Sequence, residues 1–347
     1  MSAVGPVRAA HAFDVAGLER WLAAALPDYR GPLSVEQFTG GQSNPTFLLS
    51  TPARRYVLRR KPTGVLLKSA HAVDREYRVM AALHGTGFPV PRMLALCLDD
   101  AVIGSAFYVM DHVEGRLFWD PTLPALPRPA RAAIYDAMNA VTARLHATDY
   151  AAIGLADYGR PGNYFARQLD RWTKQYRASE TAPIVAMDRL IEWLPANIPP
   201  GDETAIVHGD LRLDNMIFHP SEPRVAAVID WELSTLGHPL GDFAYQLMAW
   251  RLDPETFRGL AGSDLDALGI PDEAAYVAAY CARTGRAGIP HLDYYLAYNM
   301  FRLAAILQGI AKRALDGTAS SADATTTGAR ARRVAETGLR QMERATG

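Results

Sequence analysis

Eight consecutive residues, HGDLRLDN from His208 to Asn215, gather one histidine, two aspartates, one arginine and one asparagine. Side chains of these types hold metals, orient nucleophiles, or make plain polar turns. Zinc fits poorly, because it is held by tetrahedral sets of His and Cys and only His208 is at hand, with His219 and His238 further on. A hard cation fits better: Asp and Asn offer oxygen ligands, and magnesium takes a few of these while keeping water. A further carboxylate, Asp230, stands at the exit of the apolar run VAAVID. Acids at strand exits are often only turn or capping groups. One hairpin between the two polar strand ends would nevertheless bring Asn215 and Asp230 together as an oxygen pair.

A second constellation lies earlier in the chain. Val73, Tyr77, Met80 and Leu83 mark the apolar stripe of a helix predicted near 70–84, and Glu76 falls inside that stripe. A carboxylate on a core-facing stripe is costly unless paired. The predicted strand RYVLRR supplies a cation: Val57 and Arg59 share one face, Tyr56 and Leu58 the other. Arg59 is therefore predicted to turn toward Glu76, with Arg60 and Lys61 as alternatives. TGGQSN, residues 39–44, supplies Gly40 and Gly41 for close backbone approach and Ser43 as a donor to phosphate oxygens. A turn that merely joins two strands would look the same. No G-x-x-x-x-G-K-[ST] phosphate loop occurs.

These groups must be carried by particular elements. A helix is predicted near 14–25 from Val15, Leu18, Leu22 and Leu26. Short runs follow, LSVEQF, TFLLS, RYVLRR, MLALCL and FYVMDHV, which with one helix make a small antiparallel-sheet lobe. Helical periods dominate after about 111–116, through Ile134, Met138, Val141 and Leu145, then Leu296, Met300, Leu303 and Ile310. The division expected is a first lobe over 1–111 and a helical lobe over 112–347. The latter includes a flexible segment at 316–328 and a basic terminal helix with a solvated charged face.

Composition narrows the class. The 347 residues suit one large domain or two lobes, and 49% hydrophobic with 21% charged residues is ordinary for a globular protein. A net charge of −1 gives no field to attract nucleic acid or an anionic membrane. Cys97 and Cys281 form no CxxC pair and read as buried free thiols. No secretion signal and no membrane-length apolar run are visible, so a cytoplasmic protein is expected.

The spacing H-G-D-x-x-x-x-N resembles the kinase catalytic loop H-R-D-x-x-x-x-N. With GGQSNPTFLL, YVLRRKP, SAHAVDREYRVM, IVHGDLRLDNMIF and VIDWELSTLGHPLGD in this order, the chain resembles the aminoglycoside phosphotransferase and choline kinase-like family. It looks nearest the branch that includes the kinase-like domain fused to some acyl-CoA dehydrogenases. The likeness runs over about residues 33–310. It implies an α+β, protein-kinase-like bilobal fold: a small antiparallel-sheet lobe with one key helix, a larger helical lobe, and ATP or GTP bound between them.

The resemblance also implies roles. Asp210 would orient a substrate hydroxyl and accept its proton. Asn215 and Asp230 would hold Mg2+, and His208 and Asp242 would support the loop. Arg59 and Glu76 would replace the kinase lysine–glutamate pair. Gly40, Gly41, Gln42, Ser43 and Asn44 would form the nucleotide loop, and Met110, Asp111 and Val113 the hinge that meets adenine. Arg212 is either a phosphate-facing cation or a surface arginine. Asp214 reads as a solvated or capping residue, and Asp242 also reads as the N-cap of a helix beginning at Phe243. The implied reaction is ATP- and magnesium-dependent phosphorylation of a small-molecule hydroxyl. A polycationic aminoglycoside would need a carboxylate-rich pocket, and no acidic run occurs in the helical lobe. The branch instead suggests a hydroxyacyl-CoA, such as a 4-hydroxyacyl-CoA. An antibiotic phosphotransferase, a nucleotide-binding pseudokinase and a metal-dependent hydrolase stand as alternatives.

Overall fold

Alternating side chains in SVEQF, TFLLS and RYVLRR leave each strand one face to bury, and a sheet with a helix on it satisfies that demand. The computed structural model describes residues 4–39, 44–62, 72–317 and 324–346. Its early elements are β1 (Val4–Gly5), α1 (Val15–Ala25), β2 (Ser34–Phe38), β3 (Thr46–Ser50) and β4 (Arg55–Arg60). α2 (Val73–Gly85), β5 (Met93–Cys97) and β6 (Phe107–Asp111) follow. The strands form one antiparallel sheet in the order β1-β2-β3-β4-β6-β5.

One sheet face packs on α1: Leu18 and Leu22 meet Phe47, Leu49, Tyr56 and Leu58. Each fully buried leucine contributes on the order of 1.5–3 kcal/mol. Val15, first in the predicted stripe, is exposed. In α2 the buried residues are Val73, Glu76, Val79, Met80 and Leu83; Val79 takes the place expected for Tyr77, which is half-buried. Arg60 shares the face of Tyr56 and Leu58. Its guanidinium donates to the carbonyls of Ile103 and His11 and lies over Phe13 and Phe47. It therefore does not substitute for Arg59.

Three helices come next, α3 (Arg128–His146), α4 (Tyr164–Ser179) and α5 (Val185–Ala196). Pro129 occupies the first turn of α3, where its missing N–H costs nothing. Short strands β7 (Ala205–Val207), β8 (Met216–Phe218), β9 (Val225–Val228) and β10 (Thr235–Gly237) pair antiparallel as β7–β10 and β8–β9. The remaining helices are α6 (Pro239–Arg251), α7 (Pro254–Phe257), α8 (Leu265–Leu268), α9 (Glu273–Thr284), α10 (Leu292–Leu315), α11 (Ala324–Gly328) and α12 (Ala331–Thr346).

The chain divides into two compact units. The first takes in the sequence as far as Leu117, residues Ala151–Tyr158, and the hairpin segment Asn215–Ser234. The hairpin is fastened there by Val228 N–H donating to Pro89 O (2.8 Å) and by paired hydrogen bonds between Arg116 and Phe218 (2.8 and 2.9 Å). The second unit is helical and centres on α10, whose apolar residues are buried along most of its length. α12 packs on α10 and α5 through Val334, Ala335 and Met342 and turns its arginines outward. Residues 318–323 of the segment expected to be flexible lie outside the described residues, while 324–328 form α11. Among the described residues, no helix is long and apolar enough to cross a membrane.

Candidate active site

In the first unit the strand alternation sends Arg59 toward α2. Its Nε lies 3.1 Å from Glu76 Oε2, an ion pair without an aligned hydrogen bond. Its Nη2 donates to Asp230 Oδ1 at 2.7 Å and to Glu232 Oε2 at 3.1 Å. Glu76 is 1% exposed and accepts two further hydrogen bonds, from Asn44 Nδ2 (2.9 Å) and the Tyr108 hydroxyl (3.1 Å). Burial pushes the Glu76 carboxyl up, against the pull of Arg59. Burial alone would lower Arg59, but Glu76 and Asp230 outweigh it and hold the guanidinium well above its ordinary value. Charges taken from water in this way are tolerable only with such complete pairing.

Asp230 follows β9 in the left-handed region, φ 68° and ψ 58°. This conformation is uncommon outside glycine, although aspartate tolerates it better than most residues. Ile229 N–H donates to Asn215 O at 2.9 Å, so the hairpin sets the residues bearing the two oxygen-donor side chains at one end. An amide oxygen with a carboxylate is a donor set suited to magnesium. Among the described residues, no cluster of three or more His, Cys, Asp or Glu side chains is arranged to hold a metal.

In the second unit β7 delivers the loop. His208 is fully buried, and its Nδ1 accepts from Asp210 N–H at 3.2 Å. Asp242 accepts from His208 N–H (Oδ2, 2.8 Å) and Gly209 N–H (Oδ1, 2.7 Å), and its Oδ2 also meets His146 Nε2 at 3.2 Å. Burial would raise Asp242, yet His146 and these donors leave its carboxyl below the usual range. Arg302, between the rings of Trp172 and Tyr245, donates to Gly209 O. Gly209 has φ 83°, a conformation that L side chains rarely adopt.

Asp242 does not cap the helix. α6 begins earlier, at Pro239, and His238 Nδ1 accepts from Leu240 N–H at 3.3 Å as the cap. Asp242 lies in the first turn, where the helix dipole favours a negative charge.

The Asp210 carboxylate is gripped at both oxygens by Arg212, Nε to Oδ1 and Nη2 to Oδ2, each at 2.9 Å. The Tyr245 hydroxyl hydrogen-bonds the same carboxylate. Burial pushes Asp210 up, but the Arg212 charge and these bonds hold it below its ordinary value. Arg212 is neither a free surface group nor turned away from the loop. Asp214, expected in solvent, is 8% exposed, with Arg212 Nη1 3.3 Å away and Arg258 on its Oδ2. Two adjacent cations compensate its burial.

Beside this chain of charges the second unit holds a cavity partly open to solvent. Trp119, Met138, Tyr245, Trp250 and Phe257 are among its walls, with Arg212, Asp214 and Arg258 as its charged groups.

Of the other predicted positions, Gly40, Gly41, Gln42 and Ser43 lie outside the described residues. Met110 and Asp111 end β6, and Val113 follows half-buried. Asp111 N–H is already donated to Arg92 O at 2.9 Å, and its carboxylate pairs with Arg54. Reading the sequence missed His146, Tyr245, Arg258 and Arg302, which reach the loop from distant helices and turns. Glu232, two residues past Asp230, was within reach of the strand-exit argument.

The chain is similar to known proteins along most of its length. The family model described as "Phosphotransferase enzyme family" matches residues 34–289. Acyl-CoA dehydrogenase family member 10 of Mus musculus is 48% identical over 327 residues, 93% of this chain but only 30% of that protein. A Ralstonia eutropha crystal structure, provisionally named an aminoglycoside phosphotransferase, is 57% identical with a TM-score of 0.88, covering 96% of this chain and 99% of that one. The aminoglycoside phosphotransferase APH(4)-Ia, in a ternary complex with AMP-PNP and hygromycin B, shares the fold at 17% identity and a TM-score of 0.59, covering 93% of this chain and 99% of that one. The six-stranded antiparallel sheet and helical C-terminal part are thus the kinase-like α+β architecture, and the chain belongs to the phosphotransferase enzyme family.

Proposed function

We propose that this chain transfers the γ-phosphoryl group of ATP, with magnesium, to a hydroxyl of a small molecule, and that a hydroxyacyl-CoA is the acceptor. The observation that carries the reaction class is the pinned loop around Asp210. Asp242 and Arg302 hold both the N–H and the carbonyl of Gly209, so the following carboxylate has little freedom. Phosphoryl transfer passes through a loose transition state, so positioning and charge neutralisation supply most of the catalysis.

In this reading Asp210 accepts a hydrogen bond from the acceptor hydroxyl and takes its proton as the new P–O bond forms. Both Asp210 oxygens also serve Arg212, so the hydroxyl uses a remaining lone pair. The depressed carboxyl stays ionised and is a weak base, which makes orientation its larger contribution. Asn215 and Asp230 would hold the magnesium, which supplies charge neutralisation on the phosphates. Arg59 pairs with Glu76 as the lysine of related kinases pairs with its helix glutamate, and it also holds Asp230.

Two observations support an acyl acceptor. The curated relatives matched along nearly the whole chain carry acyl-CoA dehydrogenase names, and this chain spans less than half of their length. The cavity walls are largely apolar, and its one carboxylate is already paired. The test is ADP release from ATP across hydroxyacyl-CoAs, aminoglycosides, choline-like alcohols and sugars. Turnover confined to the hydroxyacyl-CoAs supports the reading, and preference for an aminoglycoside overturns the acceptor assignment. Phosphoester hydrolysis without nucleotide would overturn the reaction class.

A further inference from the structure

Arg258 belongs to none of the loops discussed above, yet its position is constructed. It closes α7 in the left-handed region, at φ 43° and ψ 45°, where glycine would be the relaxed choice. The next residue is glycine for a different reason: a Cβ on Gly259 would come 1.6 Å from Leu252 O. Leu260 N–H donates to Ala249 O at 2.6 Å and Ala261 N–H to Leu252 O at 3.0 Å, tying the turn to the end of α6. A strained turn held this firmly fixes the backbone from which the arginine projects. Its guanidinium lines the cavity, rests on Asp214 through Nη1, and lies 5.0 Å from the ring centroid of Trp119.

The remaining donors of that guanidinium make no hydrogen bond to the described residues, and the side chain is 39% exposed. Of the other polar wall side chains, Arg212 is held by Asp210 and Asp214, and Gln246 is spent on Thr142 (2.6 Å) and Tyr276 (2.8 Å). The cavity therefore offers an apolar body with one partly available cation, and no carboxylate for a cationic ligand. A planar fork with open N–H groups recognises carboxylate or carbonyl oxygen.

We infer that Arg258 is a specificity-determining residue, binding an anionic or carbonyl oxygen of a ligand whose apolar part fills this cavity. The assignment rests on the cavity being the acceptor pocket of the proposed reaction, but its test needs neither nucleotide nor turnover. Octanoate, octan-1-ol and octylamine are matched probes of one chain length. Their binding to the full chain is followed by calorimetry and by tryptophan fluorescence, since Trp119 and Trp250 line the walls.

Octanoate is expected to bind about tenfold tighter than octanol, a ratio set by a charge-assisted hydrogen bond. Octylamine should bind weakest. Arg258→Gln should bring octanoate down to the octanol value, and Arg258→Lys should fall between. Because Arg258→Gln strips Asp214 of a partner, the double variant with Asp214→Asn restores neutrality and is read alongside it; it should show the same loss. Octylamine binding as tightly as octanoate, or octanoate affinity unchanged in both Arg258→Gln backgrounds, overturns the inference. If these results held while ATP turnover failed, the ligand site would stand and the phosphotransfer reading would not.

Discussion

Arg59 Nη2 lies 2.7 Å from Asp230 Oδ1, while the Nε of the same guanidinium lies 3.1 Å from Glu76 Oε2. One fork thus joins a buried helix carboxylate to the aspartate proposed to hold metal. Removing it leaves Glu76 buried without its cation. Arg59→Met should cost about 3–5 kcal/mol in urea unfolding, the usual penalty for orphaning a buried charge. Arg59→Lys keeps the charge but not the fork, and should cost less while still slowing turnover.

The same contact predicts the response to metal removal. Asp230 is already neutralised by Arg59. Chelation with EDTA should therefore abolish phosphotransfer while leaving the melting temperature within about 2 °C, since only a ligand bound to the folded state would raise it. A large fall in melting temperature would point to a structural metal.

Asp242 offers a second test. It is 3% exposed and receives two backbone N–H groups of the loop. Asp242→Ala orphans both donors and should cost about 3–5 kcal/mol by urea unfolding. Turnover should fall further than nucleotide affinity, because the loop, not the nucleotide, loses its brace.

The folded carboxyls of Asp210 and Asp242 lie below their unfolded values. Their stabilisation is present above the unfolded value of about 3.9 and is lost as pH falls through the folded values. Melting temperatures should be flat near neutrality and drop steeply in acid, with a shallower drop in Asp242→Asn. Arg212→Gln removes the charge that depresses Asp210, so the acid limb of the pH–rate profile should move to higher pH.

Residue spacing alone pointed to several of these relationships. Strand alternation put Arg59 and Arg60 on opposite faces, and helical period put Glu76 among apolar neighbours. A single hairpin sufficed to bring the Asn215 and Asp230 positions together. Other features were hidden because they depend on packing between distant segments. His146, Arg302 and Arg258 approach the loop from α3, α10 and the turn after α7, and no local pattern marks them. α6 is buried on nearly every side, so it lacks a polar face, and it starts at Pro239 and not at the predicted Phe243. Asp214 looked solvated because polar character alone does not reveal two arginines arriving from either side of it.

Gly209 tests the loop backbone. Its φ of 83° puts an L residue in the left-handed region, so Gly209→Ala should destabilise by about 1–2 kcal/mol. It should also slow turnover by displacing the residue that follows. Thermal melts and steady-state kinetics measure both effects.

The central claim is that Asp210 directs phosphoryl transfer to a hydroxyl. The direct measurement is ADP release from ATP and magnesium with a hydroxyacyl-CoA, comparing wild type with Asp210→Asn, alongside nucleotide binding by calorimetry. The account predicts a fall in turnover of about 10²–10⁴-fold with nucleotide affinity nearly unchanged. Undiminished turnover in Asp210→Asn would contradict it.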